Sequence, residues 1–124
     1  MQRARFALLV VVVLAAMLFP LSAQSMGATK LTGTVGPGFN ISLKKGSKMV
    51  KTLKAGKYTL VIRDKSALHN FTLRQITGGS FMKTLTGTAF TGTKTVTVTF
   101  KKGTWKAFCT VHPTQVVRTF KVTS

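Results

Sequence analysis

The chain has 124 residues, of which 19 are lysine or arginine and one is acidic, so its formal net charge is +18. It contains a single cysteine, which excludes an internal disulfide bond. The length allows one small domain after an N-terminal leader and excludes a chain of several domains.

The N-terminus has the pattern of a secretory signal peptide. Arg3 and Arg5 precede an almost wholly apolar run over residues 6–19, and small residues follow it up to Ala23. We therefore expect residues 1–23 to be a signal peptide, with cleavage near Ala23. Cleavage after Ala28 is the alternative.

The remaining residues, 24–124, are expected to form one exported domain, which would be secreted, bound at the cell surface or periplasmic. The alternative is that the leader stays attached as a membrane anchor. Its apolar run is about 14 residues long, whereas a helix that crosses a bilayer needs roughly 20. We therefore expect no transmembrane span in the mature protein.

After the leader, threonine, valine and phenylalanine dominate and glycines mark the turns, which is typical of β-strands. No segment shows a 3.6-residue period, and strands with closely spaced turns favour an antiparallel sandwich or barrel. Residues 78–92 are expected to combine a loop with a short strand. The other strands are predicted over residues 39–43, 49–53, 57–63, 70–73, 94–100, 104–109 and 116–122.

Cys109 lies three residues before His112, and His69 is the only other histidine. One thiolate and two imidazoles are the ligand set of a blue copper electron-transfer site. A free thiol in an exported protein tends to oxidise, whereas a metal-bound thiolate is occupied. The alternative is a buried cysteine that packs as a small apolar residue. The spacing predicts that His69, Cys109 and His112 bind copper.

A nucleophilic cysteine would need a substrate pocket, an orienting group and an oxyanion site. The single carboxylate, Asp64, is far from Cys109 in the sequence and is expected to be a turn residue that accepts a hydrogen bond within its own loop. We therefore predict that the protein is not an enzyme.

The segments GKYTL, DKSALHNF and GTWKAFCTVHP, at residues 56–60, 64–71 and 103–113, resemble those of small secreted cupredoxins of the plastocyanin and azurin group. The resemblance runs from about residue 30 to residue 122. It implies a Greek-key antiparallel β-sandwich or barrel that holds one copper ion and carries single electrons. It also implies that Asn70 hydrogen-bonds across to the cysteine loop, where Thr110 is its partner.

The chain departs from that family at the axial copper ligand. No methionine follows Met82, although the family places one three to five residues after its second histidine. Gln115 has the three-residue spacing, and a glutamine oxygen is an accepted weak axial ligand. The alternatives are that Gln115 points to solvent and copper has three ligands, or that the Leu68 carbonyl takes the axial position.

The charge predicts an acidic redox partner or an anionic surface. Without Arg3 and Arg5, the 19 basic residues become 17, and Asp64 alone opposes them, which leaves a charge of about +16. Nucleic acid is disfavoured, since lysines far outnumber arginines and the aromatic residues fall mainly on inward strand positions. A solvated coat without a specific partner is the alternative.

Two other functions remain open at the level of sequence. The chain could bind copper only to carry it, or it could be a metal-free basic sandwich that binds acidic partners. We expect a monomer in each case.

Overall fold

A computed structural model describes residues 27–124, which form two five-stranded β-sheets. The predicted signal peptide lies outside the described residues. The strands are β1 Thr29–Val35, β2 Ile41–Lys45, β3 Lys48–Met49, β4 Thr52–Lys54, β5 Gly56–Asp64, β6 Phe71–Gln75, β7 Met82–Thr86, β8 Gly92–Phe100, β9 Gly103–Phe108 and β10 Val117–Thr123.

The first sheet has the order β3-β2-β1-β5-β8 and the second has the order β4-β10-β9-β6-β7. The prediction of an all-β sandwich is therefore confirmed. Each sheet also contains one parallel pair, β1 with β5 and β10 with β4, which the expectation of antiparallel strands did not include. From Gly27 to the C-terminus, the structure has no helix of the length and apolar character that crossing a membrane requires.

Alternating apolar side chains build the core between the two sheets. Tyr58, Leu60 and Ile62 of β5 are buried, as their period of two predicts. Val98 and Phe100 of β8 are also buried, while Val96 packs against the edge of the core. The largest fully buried side chain is that of Trp105, which contacts the rings of Phe81, Phe100 and Phe120.

No strand is predicted from the sequence before residue 39, so β1 was missed. Gly33 lies in the middle of this strand, where a Cβ atom would come within 2.6 Å of Ile62 and 2.8 Å of Phe71. The close approach of these two side chains requires glycine at this position. The same glycine interrupts the apolar alternation by which a strand is recognised in a sequence.

The predicted strand over residues 49–53 is two strands that belong to different sheets. β3 pairs with β2 in the first sheet, and β4 pairs with β10 in the second. Between them Val50 donates its N–H to the carbonyl of Leu43, and Lys121 donates to that of Lys51. The chain therefore crosses from one sheet to the other here and closes one side of the sandwich.

Four loops meet at one end of the sandwich, which we call the histidine end: residues 36–40, 65–70, 87–91 and 109–116. The N–H of Lys65 donates to the carbonyl of Val35, which joins the first two loops. Asn70 donates from its side chain to Thr88 and Thr110, which joins the other two. Side chains from distant parts of the sequence are thereby brought together at this end.

Candidate metal centre

The structure brings His69, Cys109 and His112 together at the histidine end. His69 lies in the loop between β5 and β6, Cys109 directly follows β9, and His112 lies three residues further on. One donor atom from each of the three lies within 4.8 Å of the others. His69 is 3% exposed and Cys109 is 0% exposed, whereas His112 is only partly buried.

The two imidazoles face each other through the same ring atom. The Nδ1 atoms of His69 and His112 are 3.0 Å apart. Two nitrogens that share an ion at about 2.0–2.1 Å each are at most ~4.2 Å apart. The observed separation is within that limit, so one ion can contact both rings through Nδ1.

Local hydrogen bonds determine the shape of the loop that holds Cys109 and His112. The N–H of Cys109 donates to the carbonyl of Val116, a fully buried residue, and closes the base of the loop. The N–H of His112 donates to the carbonyl of Cys109, and the N–H of Val116 to that of His112. Because these contacts are between backbone groups, the side chains of Cys109 and His112 stay free to face the same side of the loop.

Asn70 connects the two loops that contain the histidines. Its side-chain oxygen accepts hydrogen bonds from the N–H of Thr110 and the hydroxyl of Thr72. Its side-chain nitrogen donates to the hydroxyls of Thr110, at 2.7 Å, and Thr88, at 3.2 Å. The buried amide therefore uses both of its donors and both of its acceptor positions.

The backbone of Asn70 also contacts the thiol. Its N–H donates to the Sγ atom of Cys109 at a distance of 3.4 Å. A hydrogen bond to this sulfur orients the cysteine side chain. Asn70 therefore positions Cys109 by its backbone and the cysteine loop by its side chain.

Asp64 determines the start of the loop that leads to His69. Its Oδ1 atom accepts a hydrogen bond from the N–H of Ser66 at 3.0 Å, so this carboxylate bonds within its own loop, as the sequence predicts. The hydroxyl of Ser66 in turn accepts from the N–H of Leu68. Gly36 has a φ of +72° and a Cβ there would lie 2.7 Å from the Cβ of Ser66, so only glycine allows this close approach.

Phe39 contacts the site, although the sequence analysis placed it only in a predicted strand. Its ring centroid lies 5.1 Å from that of His69 and 5.0 Å from that of His112. It is nevertheless 56% exposed, because it lies in the loop before β2, which begins at Ile41. A phenylalanine flanked by Gly36, Pro37 and Gly38 was the available signal that this side chain belongs to a loop.

Gln115 is exposed, and it lines a surface cleft together with Phe39, Asn40 and Arg118. Its N–H donates to the carbonyl of His112 at 3.3 Å. The structure therefore places the Gln115 backbone in the same turn as His112, while its side chain belongs to the surface cleft. The axial role of Gln115 stays a prediction, as does that of the Leu68 carbonyl.

No family model and no curated protein matches the sequence. Solved structures of rusticyanin do match it. Rusticyanin from Thiobacillus ferrooxidans is 17% identical, with a TM-score of 0.51 over 76% of each chain. A rusticyanin structure described as that of a copper protein is 18% identical, with a TM-score of 0.50 over the same share of both chains. A variant of rusticyanin gives 16% identity and a TM-score of 0.52.

The chain has a cupredoxin fold. The fold implied by the resemblance of the sequence is thereby confirmed. At identities below 20% the likeness concerns the arrangement of strands, and the function is argued from the residues of the site.

Proposed function

We propose that this chain is an exported blue copper protein that carries single electrons, with His69, Cys109 and His112 as the copper ligands. The observation that supports this proposal most directly is the clustering of a thiol and two imidazoles, with donor atoms within 4.8 Å of one another. They converge in a fold that is shared with rusticyanin, which is a copper protein.

The donor atoms suit copper. A soft thiolate with two imidazoles in a trigonal set is typical of blue copper sites. Cys109 has no disulfide partner, it has no exposed surface, and its sulfur already accepts one N–H group. A bound copper ion would supply the one-electron couple between Cu(II) and Cu(I).

The residues around the ligands hold them in one arrangement. Asn70 is bonded to Thr72, Thr88 and Thr110, and the loop over residues 109–116 is closed by its own backbone. Such contacts favour the same ligand positions before and after electron transfer. A site that changes little between two oxidation states is suited to an electron carrier.

Electrons would pass between the copper site and a partner protein through His112. His69 and Cys109 are buried, so the partly exposed ring of His112 is the ligand nearest to solvent. Three exposed apolar side chains flank the two histidines: Phe39, Leu68 and Val111. An apolar surface of this kind favours contact with another protein.

The proposed partner at this end is an acidic redox protein. Arg118 lines the cleft next to Phe39, and Lys65 and Arg63 are exposed in or beside the loop that leads to His69. The only acidic side chain of the chain, Asp64, is buried. The surface potential around His112 is therefore positive and would steer an acidic protein towards it. We further propose that the domain acts as an exported monomer.

Catalysis by Cys109 is disfavoured by geometry. The thiol is fully buried and accepts an N–H group, and His112 faces His69 through Nδ1. A nucleophile must reach its substrate, and a thiol without exposed surface is not accessible to one. We therefore propose a carrier and not an enzyme.

The test is the visible spectrum of the protein after addition of Cu(II). The wild-type protein is expected to bind one copper ion and to develop an intense visible band, since a Cu(II)–thiolate bond absorbs strongly. Cys109→Ala is expected to lose the band, while Ser80→Ala, a control in the loop between β6 and β7, retains it.

Three outcomes would contradict the proposal in different ways. A band that persists in Cys109→Ala would show that the ligand assignment is wrong. Binding of Cu(I) without a band after Cu(II) addition would favour a copper transporter. Failure to bind copper would favour the metal-free module.

A further inference from the structure

Five lysines follow one another at every third position between β2 and β5, and none of them is near the copper ligands. All five are exposed. Lys45 ends β2, Lys48 begins β3 and Lys54 ends β4. Lys51 lies in the segment that joins β3 to β4, and Lys57 is the second residue of β5. We call this surface the lysine end.

The five side chains form one continuous surface. One cleft is lined by Lys45, Lys54 and Lys57, and a second by Lys45, Lys48 and Lys51. The two clefts share Lys45, Thr52 and Leu53, so they adjoin each other. The crossing of the chain between the two sheets at residues 48–54 is what brings lysines of both sheets to the same place.

No acidic side chain can neutralise this surface. Asp64 is the only one in the sequence, and it is 2% exposed and bonded to Ser66 at the histidine end. β5 extends from Gly56 at the lysine end to Asp64. A strand rises about 3.3 Å per residue, so these ends are roughly 26 Å apart, well beyond the ~8 Å Debye length at physiological salt.

The chemistry of the lysine end fits a lipid surface better than a nucleic acid. Lysine is a compact point charge, whereas the planar arginine side chain, absent from these five positions, is suited to bidentate phosphate contacts. Tyr58, the aromatic residue of the larger cleft, is buried and donates its hydroxyl to the carbonyl of Lys54, so it offers no face on which a base could stack.

An apolar side chain lies among the lysines. Met49 is 36% exposed between Lys48 and Val50, and both Met49 and Val50 line the smaller cleft. At the surface of a bilayer, lysines contact the charged headgroups while an apolar side chain inserts at the boundary with the acyl chains. The predicted signal peptide also delivers the domain to the outer face of a membrane.

We propose that the lysine end is a docking surface for an anionic lipid bilayer, and that it binds with the histidine end directed away from the membrane. Each lysine near an anionic surface contributes about a fivefold increase in affinity. Five adjacent lysines therefore suffice for reversible binding. This proposal does not depend on copper, because none of its residues belongs to the candidate metal centre.

The experiment is sedimentation of the full chain with vesicles, either of neutral phosphatidylcholine or of phosphatidylcholine mixed with phosphatidylglycerol. One variant replaces the five lysines by glutamine (K45Q, K48Q, K51Q, K54Q and K57Q). The matched control removes five exposed charges elsewhere (R63Q, K65Q, R74Q, K83Q and K94Q). Residues 1–26 are common to all three proteins, so their contribution cancels in the comparison.

The wild-type protein is expected to bind the anionic vesicles in a salt-sensitive manner and to bind neutral vesicles much more weakly. The lysine-end variant should lose roughly a thousandfold or more in affinity for anionic vesicles, since it removes five contributions of about fivefold each. The control variant should lose less than about tenfold, because its charges act only through the overall field.

Two results would overturn the proposal. Equal losses in both variants would show that binding depends on net charge and not on this surface. Tighter binding to a DNA duplex than to anionic vesicles at the same salt concentration, lost in the lysine-end variant, would identify the surface as a nucleic-acid site. Circular dichroism spectra of all three proteins establish that the variants are folded.

Discussion

The two ends of the sandwich differ in how their polar groups are satisfied. At the histidine end, Asn70 makes four side-chain hydrogen bonds and a fifth from its backbone, and of these partners only Thr72 is near it in sequence. At the lysine end, five charged side chains reach into solvent without an acidic side chain near them. One end is organised by specific contacts and the other by charge alone.

This difference determines how each end should respond to substitution. Buried hydrogen-bonded groups act as a unit, because the loss of one partner leaves the others unsatisfied away from solvent. Exposed lysines share no hydrogen-bond partner with one another, so each contributes a small and nearly independent share to stability. Single substitutions should therefore have large effects at the histidine end and small effects at the lysine end.

The largest expected effect is on the visible band, and it differs between the two histidines. His69→Gly and His112→Gly are each expected to weaken or abolish the visible band of the copper-loaded protein. Added imidazole should restore the band in His112→Gly, because this ring is partly exposed, and should restore it poorly in His69→Gly, whose ring is 3% exposed. The measurement is an imidazole titration followed by visible absorption. Equal restoration in both variants would contradict the assignment of His112 as the accessible ligand.

A smaller effect is expected on stability. Asn70→Ala should lower the free energy of unfolding by about 2–4 kcal/mol, because the N–H of Thr110 and the hydroxyl of Thr72 lose their acceptor inside the protein. Lys51→Ala at the lysine end is the matched control and should change it by at most about 0.5 kcal/mol. Urea unfolding of the metal-free proteins measures both values. A loss below about 1 kcal/mol in Asn70→Ala would show that the network contributes little.

A comparable or smaller loss is expected from the crowded position in β1. Gly33→Ala should destabilise the protein by about 1–3 kcal/mol, because the added methyl group overlaps Ile62 and Phe71. Gly38→Ala is a useful contrast, since its Cβ meets no atom within 4 Å and only its φ of +68° opposes the change. Thermal unfolding of both variants compares the cost of overpacking at residue 33 with the cost of backbone strain at residue 38. Equal losses in the two variants would show that packing around Gly33 has no special role.

The inward faces of most strands could be predicted from the sequence. Successive side chains of a strand point to opposite faces, so a strand that is buried on one face has an apolar residue at every second position. β1 was missed because Gly33 removes a side chain from the pattern. The crossing at residues 48–54 was missed because a strand that changes sheets has the same local pattern as one that does not.

The residues of the candidate site could be selected by type, since one cysteine and two histidines leave few choices. The contact of Phe39 with both imidazoles could not be predicted from the sequence. It depends on how the loop over residues 36–40 packs against the loops that follow β5 and β9. The continuity of the five lysines likewise depends on the sheet crossing. Spacing in the sequence indicates donors, whereas tertiary packing determines what surrounds them.

The smallest effect is expected at Gln115, whose backbone bonds to His112 while its side chain lies in a surface cleft. Gln115→Met should raise the reduction potential of the copper-loaded protein slightly, because a thioether favours Cu(I) more than an amide oxygen does. The change should be small, since the Gln115 side chain is exposed in the cleft beside Phe39 and Arg118. Cyclic voltammetry of Gln115→Met, Val116→Met and Val117→Met covers the three spacings at which a methionine could act. A rise in Val117→Met alone would show that Gln115 is not an axial ligand. Unchanged potentials in all three variants would mean that no side chain of this loop is axial, and the Leu68 carbonyl would then be the better candidate.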